Sequence, residues 1–495
     1  MARDILWIIV CTVLVIFLLR RRPLAMTHGS ATWGGPHKRF VRTIEPGGVF
    51  IGYDRRRAVT LTRQAALQHG VIIGGTGTGK SRGYFLPNAA SCSGTSLVCT
   101  DPKGELWRYT SGLHDQALRY APTEPEASSC FNWIPLCRDA RIAELSARAI
   151  VESGNTHHTD QAWIDTEAAF LSGLFSHAST LSEPTPLTAY RLFTSQAQET
   201  LMEQLLSSES EAAREQAIIF QQTSERMRGV IIPVVAARLQ FMRDPAVARF
   251  TSASVAPSSF AVLRDEPSAV YYCLREQDIA RLRPLTSLFF TILLDQLAAR
   301  EEGDTPVLML LDEFANIGTI PSFETTISLA RGRGVSLWLG LQSLSQLEAR
   351  YGSANARTIL TNCGTKIALH GLDFETADYF SKTLGTATVT AAQRSRQHRR
   401  GDVLLPSART HSESVSARPL LTPDEVRRLG SDEALVIIGN HSPMRLKKIY
   451  YDQLPNEASA QSLGLPRVLS FPKYQGREMS KEPPALPRTG GLRTL

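Results

Sequence analysis

Short runs of apolar residues recur along the chain, and each ends abruptly at glycine or at a polar residue. Four of these runs are GVII, SLVC, VLMLL and SLWLGL, which begin at residues 70, 96, 307 and 336. Uninterrupted apolar runs of this length are typical of strands buried on both faces of a parallel sheet. A glycine-rich turn and a helical segment separate the first two runs, as in a βαβ unit. The pattern predicts a doubly wound α/β domain.

The middle of the chain has a different pattern. From about residue 140 to 255, stretches such as AELSARAIVES and ETLMEQLL have helical spacing and are rich in Ala, Leu, Glu and Gln. Strand signals are nearly absent there, which predicts an all-α domain inserted into the sheet domain. The expected organisation is an anchor at 1–25, the first part of the sheet domain at 26–139, the all-α domain at 140–255, the second part of the sheet domain at 256–452, and a polar, flexible tail at 453–495.

The N-terminus carries the apolar run Ile5–Leu19, followed by three arginines, Arg20–Arg22. As a helix this run spans roughly 22 Å, short of a hydrocarbon core of roughly 30 Å. Snorkelling arginines and local thinning of the bilayer can close the gap. A signal peptide carries its positive charge before the apolar run. The order found here favours an uncleaved transmembrane helix, with the main body in the cytoplasm.

Composition adds a weaker constraint. The 495 residues are 43% hydrophobic, enough for a large core, and carry a net charge of +7 with a pI of about 9.1. A mild basic excess suits nucleic acid or an anionic membrane surface, and it equally suits a protein with neither partner. The seven cysteines are scattered and form no C-x-x-C pair, which indicates a reduced main body and no disulfide framework.

The first apolar run leads into GGTGTGKS, which matches the pattern G-x-x-x-x-G-K-S. Glycines at these positions allow backbone N–H groups to surround phosphates, and the following helix adds the positive end of its dipole. Lys80 would contact the β- and γ-phosphates, and Ser81 would bind Mg²⁺. The predicted nucleotide-binding residues are Gly74, Gly75, Thr76, Gly77, Thr78, Gly79, Lys80 and Ser81.

The third run ends in two acidic residues, Asp312 and Glu313. A buried strand would carry Asp312 to the carboxyl edge of the sheet, where it can hold Mg²⁺ through water. Glu313 can then accept a proton from an attacking water, which makes it the predicted catalytic base. A glutamate directly after the aspartate is typical of P-loop proteins related to RecA and the AAA+ motors, and it argues against small-molecule kinases.

Three further features have two interpretations each. Gln342 follows the fourth run and is either a γ-phosphate sensor or a polar strand cap. Arg331 and Arg333 either reach the nucleotide of a neighbouring subunit or lie in a solvated loop. The basic run Gln393–Arg400 is predicted to be a charged loop facing water, with contact to a DNA backbone as the alternative.

An ordered set of short motifs resembles the TraG family of type IV secretion coupling proteins. HGSATW begins at residue 28, DPKGEL at 101, FNWIPL at 131, LLDEFANIG at 310, GLQSLSQLEARYG at 340 and RPLLTPDEV at 418. Together these motifs cover roughly residues 28 to 452, and DPKGEL is the most specific of them. Within DPKGEL, Lys103 can contact phosphate or DNA, or else Pro102 and Gly104 fix a structural turn.

The resemblance implies a RecA-like P-loop NTPase domain with an inserted all-α domain and an N-terminal transmembrane helix. It also implies a homo-hexamer at the bacterial inner membrane that uses ATP and Mg²⁺ to pass relaxase-bound single-stranded DNA, or protein substrates, to a type IV secretion channel. Family members often have two transmembrane helices, whereas this chain has one candidate. Gln68 stands where an arginine could serve a neighbouring subunit, so the trans-acting role moves to Arg331 or Arg333.

Two other functions remain open at this stage. One is an adaptor that recruits secretion substrates, with nucleotide binding serving assembly. The other is a DNA translocase of the chromosome-segregating type. Proteins of that second class usually have several membrane helices and no DPKGEL motif.

Overall fold

The computed structural model describes residues 28–36, 45–55, 57–92, 94–154, 160–299, 305–396 and 409–448. The predicted anchor at residues 1–25 and the predicted tail at 453–495 lie outside these ranges. Across the described ranges, no helix combines the length and apolar character that crossing a bilayer requires. The anchor and the tail therefore stay predictions.

Most strands coincide with the apolar runs of the sequence. They are β1 Val49–Asp54, β2 Arg57–Leu61, β3 Gly70–Ile73, β4 Ser96–Thr100, β5 Ala117–Tyr120, β6 Ala269–Tyr272, β7 Val307–Leu311, β8 Val335–Leu341, β9 Thr365–Ala368, β10 Thr386–Arg396, β11 Arg409–Pro419, β12 Glu433–Ile438 and β13 Met444–Lys447.

Helices connect these strands and fill the region between β5 and β6. They are α1 Arg63–Ala66, α2 Leu86–Ser91, α3 Glu105–Thr110, α4 Ala140–Val151, α5 Gln161–Ala178, α6 Pro186–Thr194, α7 Gln198–Leu206, α8 Glu211–Gln222, α9 Glu225–Arg238, α10 Pro245–Ser252, α11 Val262–Asp265, α12 Ile279–Ala298, α13 Phe323–Gly332, α14 Leu344–Asn362, α15 Phe374–Leu384 and α16 Pro423–Arg427. A π-helical turn, Ser81–Phe85, leads directly into α2.

Within the described residues, eleven strands form one mixed sheet in the order β2-β1-β13-β12-β9-β3-β8-β7-β4-β6-β5. The strands from β9 to β5 are parallel. Strand β8 lies between β3, which precedes the glycine-rich loop, and β7, which precedes the two acidic residues. One strand between these two is the arrangement of RecA-like P-loop domains. The predicted α/β class is confirmed.

The parallel strands share one carboxyl edge, and the predicted chemistry meets there. Gly74, Asp101, Asp312 and Gln342 directly follow β3, β4, β7 and β8. Ligands of open α/β sheets bind at this edge because the loops after the strands converge there. The strand order therefore brings residues from distant parts of the chain to one place.

An antiparallel extension completes the sheet on the side of β9. Strand β12 pairs with β9 and β13, and β13 pairs with β1, so the last strands of the sheet join the first strands to the parallel core. This closure places Lys448, which directly follows β13, beside the glycine-rich loop.

Strands β10 and β11 form a separate two-stranded hairpin, paired from Thr386↔Pro419 to Arg396↔Arg409. The predicted loop at Gln393–Arg400 is therefore wrong for residues 393–396, which extend β10; residues 397–400 lie outside the described ranges. The polar composition suggested a loop, whereas backbone pairing with β11 makes these residues a strand.

The HGSATW motif attaches to the base of this hairpin. Ser30 forms an antiparallel bridge with Ala387, and the Thr388 hydroxyl donates to the Gly29 carbonyl at 2.8 Å. A Cβ atom on Gly29 would lie 2.1 Å from the Thr386 carbonyl oxygen, so only glycine fits. The motif thus holds the start of the described chain against the hairpin.

The FNWIPL motif joins the helical region to the sheet. Its Phe131 ring packs on Phe289 of α12 with centroids 5.0 Å apart, and Trp133 packs on Phe175 of α5 at 6.0 Å. Between them, the buried Asn132 amide donates to the carbonyls of Pro184 and Ser254 at 3.0 and 2.9 Å. This short motif is therefore the joint between the helical region and the sheet, and it is fixed by contacts on both sides.

The centre of the sheet has a position that tolerates no side chain. A Cβ atom on Gly340 of β8 would lie 2.7 Å from the Phe85 ring and 2.9 Å from Asp312 Oδ1. Phe85 belongs to the turn after the glycine-rich loop. Glycine at 340 therefore sets the distance between that turn and the acidic residue.

We expect Gly340→Ala to lower the free energy of unfolding by about 1–3 kcal/mol, because an added methyl group overpacks the core. Denaturant unfolding of the full chain in detergent measures this change. Gly332→Ala is the matched control, since a Cβ there would meet nothing within 4 Å. Equal stability of the two variants would contradict the packing argument.

Candidate nucleotide-binding site

The glycine-rich loop has the backbone of a phosphate-binding loop. Gly77 and Gly79 have φ angles of +77° and +86°, in the region that favours glycine. The Thr78 hydroxyl donates to the Gly75 carbonyl at 2.8 Å and closes the loop. The loop then turns into the π-helical segment at Ser81, so helix N–H groups face the same space.

Lys80 lies across the loop that contains it. Its side chain is 5% exposed, and Nζ donates to the carbonyls of Gly74 at 2.7 Å and Gly75 at 3.3 Å. Nζ also lies 3.7 Å from Glu313 Oε1. The amine therefore stands between the loop and the predicted catalytic carboxylate, where it can neutralise phosphate charge.

Asp312 is buried and bound from two sides. The Ser81 hydroxyl donates to Asp312 Oδ2, and the Thr100 hydroxyl donates to the Asp312 carbonyl at 2.7 Å. Burial raises the pKa of the Asp312 carboxyl to about 6, against the opposing effect of the Ser81 hydrogen bond; the charge of Glu313 raises it further. The pair of Ser81 and Asp312 offers oxygen ligands, which Mg²⁺ prefers. These residues fit a magnesium site.

Glu313 has a strained backbone and a held side chain. Its φ and ψ are 53° and 46°, a left-handed conformation that costs a non-glycine residue about 1 kcal/mol. Gln342 Nε2 donates to Glu313 Oε2 at 2.9 Å. Strain of this kind is typical of functional positions, and here it accompanies a carboxylate that lines the cavity beside Lys80.

These groups line a cavity of about 700 Å³. Its walls come from the loop (Thr76, Gly77, Gly79, Lys80, Ser81), the acidic pair, Gln342, the DPKGEL motif and the start of α12. The volume lies within the range of small-molecule sites. The structure thus brings together Lys80, Ser81, Asp312, Glu313 and Gln342, as the sequence analysis predicted.

The DPKGEL motif forms a structural turn at the edge of the cavity. Asp101 is buried and accepts from the Trp107 N–H at 2.8 Å, while Gly104 has a φ of +68°, so the turn is structural. Lys103 and Glu105 nonetheless line the cavity. Burial raises the pKa of the Asp101 carboxyl, opposed by the backbone N–H groups that it caps.

Arg331 does not join these residues. It lies in the last turn of α13, and its charge lowers the pKa of His69, whose pKa is brought to about 4 mainly by burial. His69 directly precedes β3, so Arg331 is at the amino edge of the sheet, opposite the loop. Arg333 follows at the same edge, before β8. Neither arginine can act on the nucleotide of its own chain.

Lys448 is a site residue that the sequence analysis missed. It is 2% exposed, and its Nζ donates to the Thr78 carbonyl of the loop. Its side chain crosses Gly83 so closely that a Cβ there would lie 2.8 Å from Lys448 Cγ. Burial lowers the pKa of the Lys448 amine to about 8, partly offset by the charge of Asp432. No motif pointed to it.

Asp312→Asn should stabilise the metal-free protein at pH 8, and by about half as much at pH 5. The raised pKa means that the folded protein loses stability as the pH rises from about 4 through about 6, where the buried carboxyl ionises. Asparagine stays neutral, so the gain at pH 8 is on the order of 1–3 kcal/mol. Thermal unfolding in EDTA measures it, with the exposed Asp115→Asn as control; a larger gain at pH 5 would refute the sign.

Lys448→Met should weaken binding of a slowly hydrolysed ATP analogue about tenfold, because losing a charged hydrogen bond to the loop costs about 1.5 kcal/mol. Fluorescence titration of the full chain in detergent measures the affinity. Lys447→Met is the matched control, since Lys447 is exposed and pairs with Asp432 at 2.9 Å. The same loss in both variants, or in neither, would exclude a role for Lys448 in holding the loop.

Comparison with known proteins identifies relatives of the whole described body. The chain is 27% identical over 453 residues to the conjugal transfer protein TraG of Escherichia coli, covering 81% of this chain and 71% of the relative. It is 28% identical over 413 residues to the protein VirD4 of Agrobacterium fabrum, covering 77% and 58% of the two chains.

Solved structures show the same fold at lower identity. The unbound bacterial conjugative coupling protein TrwBdeltaN70 matches with a TM-score of 0.66 and 18% identity, over 86% of this chain and 97% of that one. The plasmid coupling protein TrwB in complex with ADP and Mg²⁺ matches with a TM-score of 0.64 and 19% identity, over 85% and 97%. A family model described as "Type IV secretory system Conjugative DNA transfer" matches residues 28–477. The chain therefore belongs to the family of type IV secretory system conjugative DNA transfer proteins.

Proposed function

We propose that this chain is a membrane-anchored coupling ATPase that drives relaxase-bound single-stranded DNA, and protein substrates, into a type IV secretion channel. The observation that carries the proposal is the meeting of Lys80, Ser81, Asp312 and Glu313 in one cavity of a chain from a conjugative transfer family. A loop for phosphates, a pair of oxygen ligands and a proton acceptor are the parts that ATP hydrolysis requires.

Each residue has a distinct part in hydrolysis. Lys80, close to the loop carbonyls, neutralises charge on the β- and γ-phosphates. Ser81 and Asp312 would hold Mg²⁺, which when bound stabilises the charge that develops on the phosphates. Glu313 accepts the proton of the water that attacks the γ-phosphate. Gln342 fixes the orientation of Glu313 through its hydrogen bond of 2.9 Å.

A homo-hexameric ring gives the amino-edge arginine a role. Arg331 is exposed and lies far from the loop of its own chain, so it can stabilise transition-state charge only on a nucleotide bound to a neighbour. The ring assembly and this trans-acting role are both proposals, supported by membership of the family and by the position of α13.

The anchor fits the geometry of the described body. Residue 28 follows the predicted helix Ile5–Leu19 by nine residues, which reach at most about 30 Å when extended. Since residues 28–31 attach to the base of the β10–β11 hairpin, we propose that this base faces the bacterial inner membrane, with the body in the cytoplasm.

Glu313→Gln should lower ATP hydrolysis by at least 100-fold and abolish plasmid transfer, because the amide cannot accept the proton. Phosphate release by the full chain in detergent, with and without single-stranded DNA, and mating of cells carrying the variant measure the two effects. Lys80→Ala should give the same pair of losses, while the exposed Glu348→Gln should match the wild type.

The same experiment separates the adaptor function from the motor. Normal transfer with Glu313→Gln, alongside lost hydrolysis, would assign nucleotide binding to assembly and favour a substrate adaptor. Hydrolysis that survives both Glu313→Gln and Lys80→Ala would refute the assignment of the site itself.

A further inference from the structure

The cavity continues beyond the hydrolytic residues to a wall that no motif predicted. This wall consists of Glu276, in the 3₁₀ turn before α12, and Ile279, Ala280 and Arg283 at the start of α12. We infer that Arg283 is a second phosphate-binding residue of the cavity, separate from the glycine-rich loop. The inference rests on the proposed function, since it assigns a further contact within the same cavity.

Arg283 is held in place by a glycine of the LLDEFANIG motif. Gly318 has a φ of +98°, and a Cβ atom there would lie 2.7 Å from Arg283 Cγ and 3.0 Å from the Ser153 carbonyl oxygen. The methylene stem of the arginine therefore passes over bare backbone six residues after Asp312. This contact directly links the acidic strand end to the arginine.

The guanidinium has no compensating charge among the described residues. Its Nε is buried and has no hydrogen-bond partner there. Burial lowers the pKa of Arg283, and the charge of Arg350 lowers it further, so the neighbouring charge is of the same sign. Arg350 itself donates from Nε to the Ala315 carbonyl at 3.1 Å. A partly buried guanidinium whose buried Nε is unpaired favours an anion.

A neighbour on the same helix shows the contrast. Arg281 donates to the carboxylates of Asp244 and Asp278, both at 2.9 Å. Its charge is therefore satisfied by the protein, and it does not line the cavity. Three of the carboxylates that share the cavity wall with Arg283 are engaged elsewhere: Glu313 by Lys80 and Gln342, Asp312 by Ser81, and Asp101 by the Trp107 N–H. Glu105 and Glu276 also line the cavity, and within the described part of the chain neither forms an ion pair with Arg283.

The chemical class of the ligand follows from the cavity. A guanidinium fork binds phosphate oxygens in pairs, and the glycine-rich loop lines the same cavity. The phosphate can come from two sources: the terminal phosphate of the bound nucleotide, or the backbone of single-stranded DNA. Both present the same oxyanion to Arg283, and binding measurements distinguish them.

The test uses the full chain in detergent with Arg283→Gln, and with Arg281→Gln as the matched control. Three probes are titrated: fluorescent ADP, a slowly hydrolysed fluorescent ATP analogue, and a labelled oligodeoxynucleotide without nucleotide. A nucleotide source predicts about a tenfold loss for the ATP analogue and unchanged ADP binding. A DNA source predicts about a tenfold loss for the oligonucleotide, with the salt dependence of its affinity reduced by about one charge.

Gly318→Ala provides an independent variant, because the added methyl group displaces the arginine while leaving its charge. We expect it to weaken the same probe that Arg283→Gln weakens. Arg283→Lys keeps the charge and loses the guanidinium fork, so its affinity for that probe should lie between those of the wild type and Arg283→Gln. If Arg283→Gln does not fold, the affinity of Arg283→Lys is compared with the wild type instead.

Affinities within twofold of wild type for both the ATP analogue and the oligonucleotide, in a folded Arg283→Gln variant, would overturn the inference. Lys80→Ala in the same assay separates this result from failure of the proposed function. If Lys80→Ala lowers the affinity for the ATP analogue and Arg283→Gln changes the affinity for neither probe, only the second phosphate contact is refuted. If Lys80→Ala also binds normally, the assignment of the whole cavity falls.

Discussion

The hydrogen bond from Ser81 to the Asp312 carboxylate connects two parts of the chain that are 231 residues apart in sequence. It joins the turn after the glycine-rich loop to the end of β7, across β8, where Gly340 leaves room for the contact. The rest of the site depends on it, because the same two residues set the distance between the glycine-rich loop and Glu313, the proposed catalytic carboxylate next to Asp312. Burial raises the pKa of the Asp312 carboxyl, because the ionised form is poorly solvated there. A bound cation would stabilise the ionised form and would itself be held by that charge.

This arrangement explains why the chain can carry a long helical insertion without losing the site. The residues that contact one another come from strands β3, β7 and β8, which are neighbours in the sheet. The helices between β5 and β6 leave the sheet and return at one joint, where Phe131, Asn132 and Trp133 are fixed on both sides. Changes in the helical region therefore reach the site through this joint and through α12, whose first turn lines the cavity.

Much of the sheet, and the meeting of the proposed site residues at one edge, could be predicted from sequence, because buried parallel strands are uninterrupted apolar runs and their carboxyl ends share one edge. The run at residues 307–311 and the acids after it are a clear example. Lys448 and Arg283 could not be found in this way. Their roles come from what their side chains meet across the fold, Thr78 in one case and Gly318 in the other, and a single lysine or arginine in a sequence carries no such signal.

The strand character of residues 393–396 was missed for a related reason: their sequence is polar and basic, and only backbone pairing with β11 identifies them as strand. The position of Arg331 is a second point that could not be decided from the sequence. The sequence allowed two interpretations of Arg331, contact with the nucleotide of a neighbouring subunit or a solvated loop. The fold places it at the amino edge of the sheet, away from its own cavity. In the proposed ring, the guanidinium of Arg331 at the amino edge of one chain would add to the charges that a neighbour already holds at its carboxyl edge. Under that proposal turnover would depend on assembly, because part of the site would come from a second subunit.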